Sequence, residues 1–311
     1  MDGPGHKAVL AEEAVDAVLT RLDGCYIDAT FGRGGHSRRL LARLAAEAHL
    51  LVIDRDAQAI AEARKLATED QRVQVEHANF SELSALLQRY PDGQPVDGIL
   101  IDLGVSSPQL DEAERGFSFQ VDGPLDMRMD QGQALDAAGF LAGVEAEELE
   151  RVLREYGEER YARRIARAII AARQEQPLTR TLQLADIVKS AHPAWERHHH
   201  PATRTFQALR LRINEELREI EQVLPQAIAA LAPGGRLAVI SFHSLEDRLV
   251  KRALQAATRG VEEVLPRGLP VRPQFTPPCM REVIRQQAAT DEEVALNPRA
   301  RSARLRVAEK L

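Results

Sequence analysis

The sequence predicts an α/β fold, a Rossmann-like parallel sheet carrying an inserted helical domain. Three observations support this. Short apolar runs alternate with helical periods from Cys25 to Asp102. A glycine loop joins the first of these runs to the helix behind it. After Asp102 the alternation gives way to helices and returns only near Arg236, as expected for a sheet whose chain is interrupted by an insertion.

Taken in order, Ala14, Ala17, Val18 and Leu22 recur at helical spacing, and Asp23-Gly24 predicts the end of that helix. Cys25 to Phe31 reads as the first strand. It empties into Gly32-Arg33-Gly34-Gly35-His36-Ser37, after which Leu40, Leu41 and Leu44 restart a helical period. Leu50 to Ile53 is a second strand ending at Asp54, with a helix over Ala57 to Leu66 behind it. Val73-Gln74-Val75 is a third strand leading to Asn79-Phe80, and Val96 to Leu103 is a fourth. Leu149, Val152, Leu153 and Tyr156 then form one helical stripe, and Ile165, Ile169 and Ile170 another. Gly157, Pro177, Pro193 and Pro201 punctuate this stretch, with Thr179 or Thr181 as the expected N-cap of a helix over Leu182 to Ser190. Phe206, Leu209, Ile213, Leu217, Ile220 and Leu224 predict one long helix interrupted at Pro225. Arg236 to Phe242 is a buried strand, and Pro266 to Pro278, rich in proline, is a loop. In Ser302 to Val307, Ala303, Leu305 and Val307 alternate with Arg304 and Arg306, which suits an edge strand with one wet face. The expected domains are 1–110, the first part of a cofactor-binding domain; 111–213, an inserted helical substrate-recognition domain; and 214–311, the second part of the first domain.

With 44% hydrophobic and 28% charged residues over 311 positions, disordered and fibrous classes are excluded. No apolar run approaches the roughly 18 residues of a membrane helix, and Met1 to Ala14 lacks a basic head before an apolar core, so a cytoplasmic protein is expected. Cys25 and Cys279 alone make neither a disulfide framework nor a zinc tetrahedron, and no metal is expected. The net charge of −6 hides an asymmetry: residues 151–218 hold 14 basic against 8 acidic residues. An arginine-rich stretch in an acidic chain is where a phosphate backbone could dock, through Arg151, Arg154, Arg160, Arg163, Arg164, Arg167 and Arg173, with Arg204, Arg210 and Arg212 near Phe206. Tyr161 or Trp195 could stack on a base there, although core packing is the default for any single aromatic.

A glycine loop after a first strand lets backbone N–H groups approach a ligand, and an acid about 20 residues on can accept the hydroxyls of a ribose. Gly32 to Gly35 followed by Asp54 fits this. A dinucleotide fingerprint would want glycine where Ser37 stands, so the pattern Asp28, Gly32, Gly34, Gly35 favours S-adenosylmethionine, which has no pyrophosphate to cradle. Phe80 after the third strand can pack on the adenine, and Asp102 ends the fourth strand where ligands of such sheets collect.

Longer blocks sharpen this reading. His36-Ser37 after the glycine loop, Asp102-Leu103-Gly104-Val105-Ser106-Ser107-Pro108-Gln109, Glu114-Arg115-Gly116-Phe117-Ser118-Phe119, Gly123-Pro124-Leu125-Asp126-Met127-Arg128, Tyr156-Gly157-Glu158-Glu159-Arg160, His200-Pro201-Ala202-Thr203-Arg204-Thr205-Phe206 and Ser241-Phe242-His243-Ser244-Leu245-Glu246-Asp247-Arg248 occur in that order. In these the chain resembles the bacterial ribosomal RNA small subunit methyltransferase H family, from His6 to Ala308. The resemblance implies a class I S-adenosylmethionine-dependent methyltransferase sheet, and methylation of the exocyclic N4 of a cytidine in the decoding region of small-subunit (16S) ribosomal RNA. It also implies an assembled or nearly assembled small subunit as partner. The cofactor positions it carries over are Gly34, Gly35, His36, Asp54, Phe80, Asp102 and Gln109. One departure is that Met280-Arg281-Glu282-Val283-Ile284-Arg285 stands near where the family commonly has a basic run.

An aromatic amine is a weak nucleophile, so a site that methylates it must orient the group and accept its proton. Asp102 and Gln109 side chains, or the backbone carbonyls of Ser106 and Ser107, are the catalytic candidates. The alternatives are a cofactor-binding ribosome-interaction module, or methylation of another acceptor. Carbon-5 chemistry would need a cysteine nucleophile, for which Cys279 is poorly placed in its proline-rich loop. A metal hydrolase would draw on His192, His198, His199 and His200, whose spacing matches no zinc motif. His243, Glu246 and Asp247 suit proton transfer or helix capping equally well.

Overall fold

Strands form where apolar residues run without alternation, because both faces of a parallel sheet are covered. The computed structural model describes residues 8–89, 95–193, 200–262 and 274–311. The chain divides into two compact units, Met1–Gly104 with Leu217–Leu311, and Val105–Glu216.

In the first unit, α1 (Ala11–Val18) precedes β1 (Cys25–Asp28), α2 (Gly35–Leu41), β2 (His49–Asp54), α3 (Ala57–Glu69), β3 (Val73–His77), α4 (Leu83–Leu87) and β4 (Val96–Asp102). The second unit holds α5 (Ser107–Asp111), α6 (Ala137–Gly143), α7 (Ala146–Glu155), α8 (Ala162–Glu175), α9 (Thr181–Ala191) and α10 (Ala202–Ile213). The chain then returns through α11 (Glu216–Ala230), β5 (Leu231–Ser241), α12 (Ser244–Arg259), β6 (Met280–Ala288), α13 (Asp291–Leu296) and β7 (Arg304–Lys310). The seven-stranded sheet has the order β3-β2-β1-β4-β5-β7-β6. Strands β1 to β5 pair in parallel, and β7 runs antiparallel to both β5 and β6. This is the strand order of a class I methyltransferase sheet, with its switch point between β1 and β4.

Alternate residues of each strand feed two separate cores, which is what makes the sheet doubly wound. Tyr26, Leu50, Val52, Leu100 and Ala238 pack with α1, α2 and α3. Ile27, Leu51, Ile53, Ile99, Ile101 and Val239 pack with α4, α11 and α12. Gly98 is required where it pairs with Tyr26, because a Cβ there would lie 2.7 Å from the tyrosine ring. A third core joins α6 to α10 in the helical unit around Leu149, Leu153, Ile165, Ile169, Leu184 and Leu209.

Several sequence expectations are corrected. The first helix ends at Val18, and Leu22 is exposed. The Tyr26 hydroxyl accepts the N–H groups of Thr20 (3.0 Å) and Arg21 (2.9 Å) and donates to the Arg21 carbonyl, drawing the chain out of the helix. Neither Thr179 nor Thr181 caps α9. Thr181 Oγ1 accepts from Gly123 N, and Asp122 Oδ1, from a distant segment, takes the first-turn N–H of Leu182. The long helix breaks at Asn214-Glu215, and Pro225 lies inside α11. Buried Ile220, Val223, Leu224 and Ala227 hold that helix through its missing proline N–H. Strand β7 is interior, and β6, with exposed Arg281, Glu282 and Arg285, is the edge. Arg306 is buried because its guanidinium forks onto both oxygens of Asp247 at 2.8 and 2.9 Å. Phe275–Thr276, within the expected proline-rich loop, pairs with Val261–Glu262. His6, Trp195, His198, His199 and residues 266–273 lie outside the described residues.

Candidate active site

The carboxyl ends of β1, β2 and β4 converge, and each ends in an aspartate: Asp28, Asp54 and Asp102. Parallel strands place these side chains beside the loops that leave the sheet, the ligand-binding edge of such folds. The loop after β1 makes its turn with Gly32 at φ +55° and Gly34 at φ +75°, conformations that side chains rarely adopt. A Cβ on Gly34 would also lie 2.7 Å from the Phe31 ring. Helix α2 therefore starts at Gly35, earlier than its leucine period suggests.

Asp54 organises this loop. Its Oδ2 accepts the Gly32 N–H at 2.8 Å and its Oδ1 the Asp56 N–H at 2.8 Å. Burial raises its pKa against these two hydrogen bonds. Asp28 is buried, with Ser37 Oγ donating to Oδ2 at 2.5 Å and Thr30 N to Oδ1 at 3.2 Å. Burial, opposed by those bonds, pushes its carboxyl up to about 6. Thr30 also accepts the Asp102 N–H at 2.6 Å, tying β1 to the end of β4.

Asp102 is the least satisfied of the three. His36, buried at the start of α2, brings Nδ1 within 3.8 Å of Asp102 Oδ2, while its Nε2 faces the Val9 carbonyl at 3.2 Å. Asp102 Oδ1 is buried without a hydrogen-bond partner among the described residues, although the side chain is 24% exposed overall. Burial and the like charges of Asp28 and Glu246 hold this carboxyl well above the ordinary carboxylate range. Glu246 is fully buried at the first turn of α12. It accepts the Phe242 N–H at 2.7 Å and lies 3.0 Å from His243 Nε2, and with His243 it forms the capping box of that helix. A Cβ on Gly104 would come within 3.8 Å of Glu246 Oε1, so the exits of β4 and β5 are neighbours.

Gly34, Gly35, His36, Asp54 and Asp102 thus share one edge of the sheet. Phe80 follows β3 and is partly buried against the α4, α11 and α12 core. Ser106, Ser107 and Gln109 belong to the helical unit, where Gln109 Oε1 accepts the Ser106 N–H at 2.9 Å in the capping box of α5. Thr30 and Ser37, which position two of the aspartates, escaped the sequence reading. A hydroxyl two residues past β1 meets the end of β4 only because those strands pair, and the Ser37 hydroxyl meets Asp28 only once the glycine loop folds α2 back over the strand. Of the alternatives, Cys279 is half-buried, with its N–H on the Ala257 carbonyl. His192 packs on Tyr161 and His200 on Phe119. Asp247 is spent on Arg306. Among the described residues, no group of three or more His, Cys, Asp or Glu is placed to hold a metal ion, and no helix is long and apolar enough to cross a membrane.

The sequence matches the MraW methylase family over residues 4–311. The chain belongs to that family. As an MraW methylase it uses S-adenosylmethionine. It is 55% identical over 309 residues, 99% of this chain and 98% of the relative, to the ribosomal RNA small subunit methyltransferase H of Thioalkalivibrio sulfidiphilus. Among solved structures it is similar to an rRNA methylase from Streptococcus thermophilus (10% identity, 97% of this chain and 93% of that one, TM-score 0.41). It is also similar to TrmN from Thermus thermophilus (14% identity, 97% of this chain and 48% of that one, TM-score 0.43).

Proposed function

We propose that this MraW methylase transfers the methyl group of S-adenosylmethionine to the exocyclic N4 of a cytidine in the decoding region of small-subunit (16S) ribosomal RNA. The substrate is an assembled or nearly assembled small subunit in the cytoplasm, and residues 111–213 form the recognition domain inserted between 1–110 and 214–311. The near full-length identity to the Thioalkalivibrio enzyme carries this reading.

The residues present fit the cofactor. Asp102 offers a carboxylate oxygen without a partner among the described residues, and at Gly32, where a Cβ would meet nothing within 4 Å, the loop leaves room for a close ligand. Gly34, Gly35 and His36 would hold the methionine end, Asp54 the ribose hydroxyls, Phe80 the adenine, and Asp102 and Gln109 the remaining polar groups. Bound there, S-adenosylmethionine would supply an electrophilic methyl group from a sulfonium, whose sulfur would keep the bonding pair when the methyl moves to the amine nitrogen. The amine proton passes to the Asp102 carboxylate, whose raised pKa suits an acceptor. Ser106, Ser107 and Gln109, on the segment that follows Asp102, orient the amino hydrogens through backbone and side-chain oxygens.

The test is transfer of labelled methyl to small subunits from cells lacking this protein, followed by nucleoside analysis. Label recovered as N4-methylcytidine is expected. Label on carbon 5, on a protein, or nowhere overturns the assignment.

A further inference from the structure

The arginines between residues 151 and 212 look equivalent in sequence, but the fold separates them. On α7, Arg151 is held by Glu148 at 2.7 Å and faces Glu155 at 3.5 Å, and Arg154 is paired with Glu150. Arg173 donates to the carbonyls of Leu141 and Val144, both at 2.6 Å, closing the end of α6. Arg180 is paired with Asp122, and Arg210 with Glu216. Arg212 lies 5.1 Å over the Phe140 ring with Glu148 beside it. These side chains build the helical unit.

Helix α8 differs. Arg163, Arg164 and Arg167 are exposed and have no ion pair among the described residues. Arg160, just before the helix, lies 5.7 Å from the Tyr161 ring. Spacings of three and four residues put Arg163, Arg164 and Arg167 on one side of the helix, opposite buried Ile165, Ala166 and Ile169, with Arg160 in the turn before its first residue. Beside them runs a shallow groove between α8 and α9, lined by Arg164, Ala168, Asp186, Ile187, Ser190 and Ala191. Asp186 is the acid on the α9 side of this groove, and Glu175 ends the α8 face. Four cations with two acids at the margin, flanking an open groove with an apolar floor, complement a polyanion that follows the helix.

We infer that the α8 face of Arg163, Arg164 and Arg167, with Arg160 in the turn before it and the α8–α9 groove beside it, is a docking surface for the phosphate backbone of the RNA substrate. The inference rests on the proposed ribosomal substrate, and it makes α8 the phosphate-binding helix and α7 a scaffold. Guanidinium groups not already paired with carboxylates are the ones that can release counterions from RNA; those tied to a neighbouring glutamate have already spent that interaction.

Two variants matched in charge separate the roles: Arg163→Gln/Arg167→Gln on α8 and Arg151→Gln/Arg154→Gln on α7. Binding to deproteinised small-subunit RNA is measured across a salt series, alongside KM and kcat for methyl transfer to small subunits and the Kd for S-adenosylmethionine. The α8 pair is expected to weaken RNA binding about tenfold near 0.15 M salt and to lower the log–log salt slope by about 1.5 to 2. Its KM rises in parallel, while kcat and cofactor Kd stay put, and the α7 pair remains within about twofold of wild type. Equal effects of the two pairs, no effect of the α8 pair, or a wild type that does not bind RNA overturns the inference. So does weaker binding to assembled subunits with unchanged binding to deproteinised RNA, which would place an acidic protein on this face. A wild type that binds RNA through α8 but transfers no methyl to small subunits would sink the proposed function and leave the docking surface standing.

Discussion

Asp102 concentrates the chemistry of the site, because it is buried among like charges and one of its oxygens has no partner among the described residues. Asp102→Asn keeps the shape and loses the proposed proton acceptor, so kcat is expected to fall about 10²- to 10⁴-fold with a much smaller change in cofactor Kd. The carboxylate form is gained as pH rises, so wild-type kcat climbs with pH through this raised pKa and then levels. Glu246→Gln removes one of the two like charges and should move that climb to lower pH, which a pair of pH–rate profiles would show. Asp28 has a stability consequence of opposite sense to a salt-bridged acid. Its folded pKa of about 6 lies above the ordinary value of 3.8, so its contribution is fully present below about pH 4 and is lost as pH rises through about 6. The loss is at most about 3 kcal/mol. Asp28→Asn should flatten the pH dependence of thermal stability between pH 4 and 7, and parallel melting curves at the two pH values would refute it if both proteins behaved alike. The aspartates at strand ends and the loop glycines were legible in the sequence, because a strand end or a positive-φ turn is a local property. That Thr30 and Ser37 hold Asp102 and Asp28 was not, because the first depends on which strands become neighbours and the second on how the glycine loop turns.

At the level of elements, the return from the helical unit to the sheet turns on Asn214. Its Oδ1 accepts the Met129 N–H at 2.8 Å and its Nδ2 donates to the carbonyls of Met127 (2.8 Å) and Arg210 (2.9 Å), all in buried or half-buried surroundings. Glu215 then turns the chain at φ +50°. Asn214→Ala strands the Met129 N–H and the Met127 carbonyl and should cost about 2 to 4 kcal/mol, read from the urea midpoint at unchanged m. A change below about 0.5 kcal/mol would mean that water replaces the side chain without penalty. This break was invisible in the sequence, because the apolar period runs from Phe206 to Leu224 and neither glycine nor proline marks Asn214-Glu215. Pro225 misled in the opposite direction: its local cost is outweighed by the core packed around it. Strand β7 was misplaced for a related reason. Alternating arginines imply a wet face unless a partner such as Asp247 arrives from elsewhere in the chain, and here it does.

Over the whole molecule, charge is distributed by face and not by domain. Residues 105–216 hold 15 basic and 19 acidic residues, a net of −4, and the remainder of the chain carries the other −2. The basic stretch read from 151–218 is therefore no basic domain, since the acids between Asp111 and Glu150 belong to the same unit. A chain of this charge is repelled by RNA at long range and must bind it through a local cationic surface at short range. The two substrates should then respond differently to salt. Each phosphate contact contributes about −0.7 to −0.9 to the slope of log affinity against log salt, so KM for the ribosomal substrate should rise steeply between 50 and 300 mM potassium chloride. S-adenosylmethionine carries no phosphate, and the residues proposed to hold it are glycines, a phenylalanine and carboxylates, so its Kd should change little over the same range. Isothermal titration for the cofactor and initial rates for the subunit substrate give both slopes. If the two slopes were equal, the cofactor edge and the RNA surface would be sensing a common field, and the separation of an acidic catalytic edge from a basic docking face would fail.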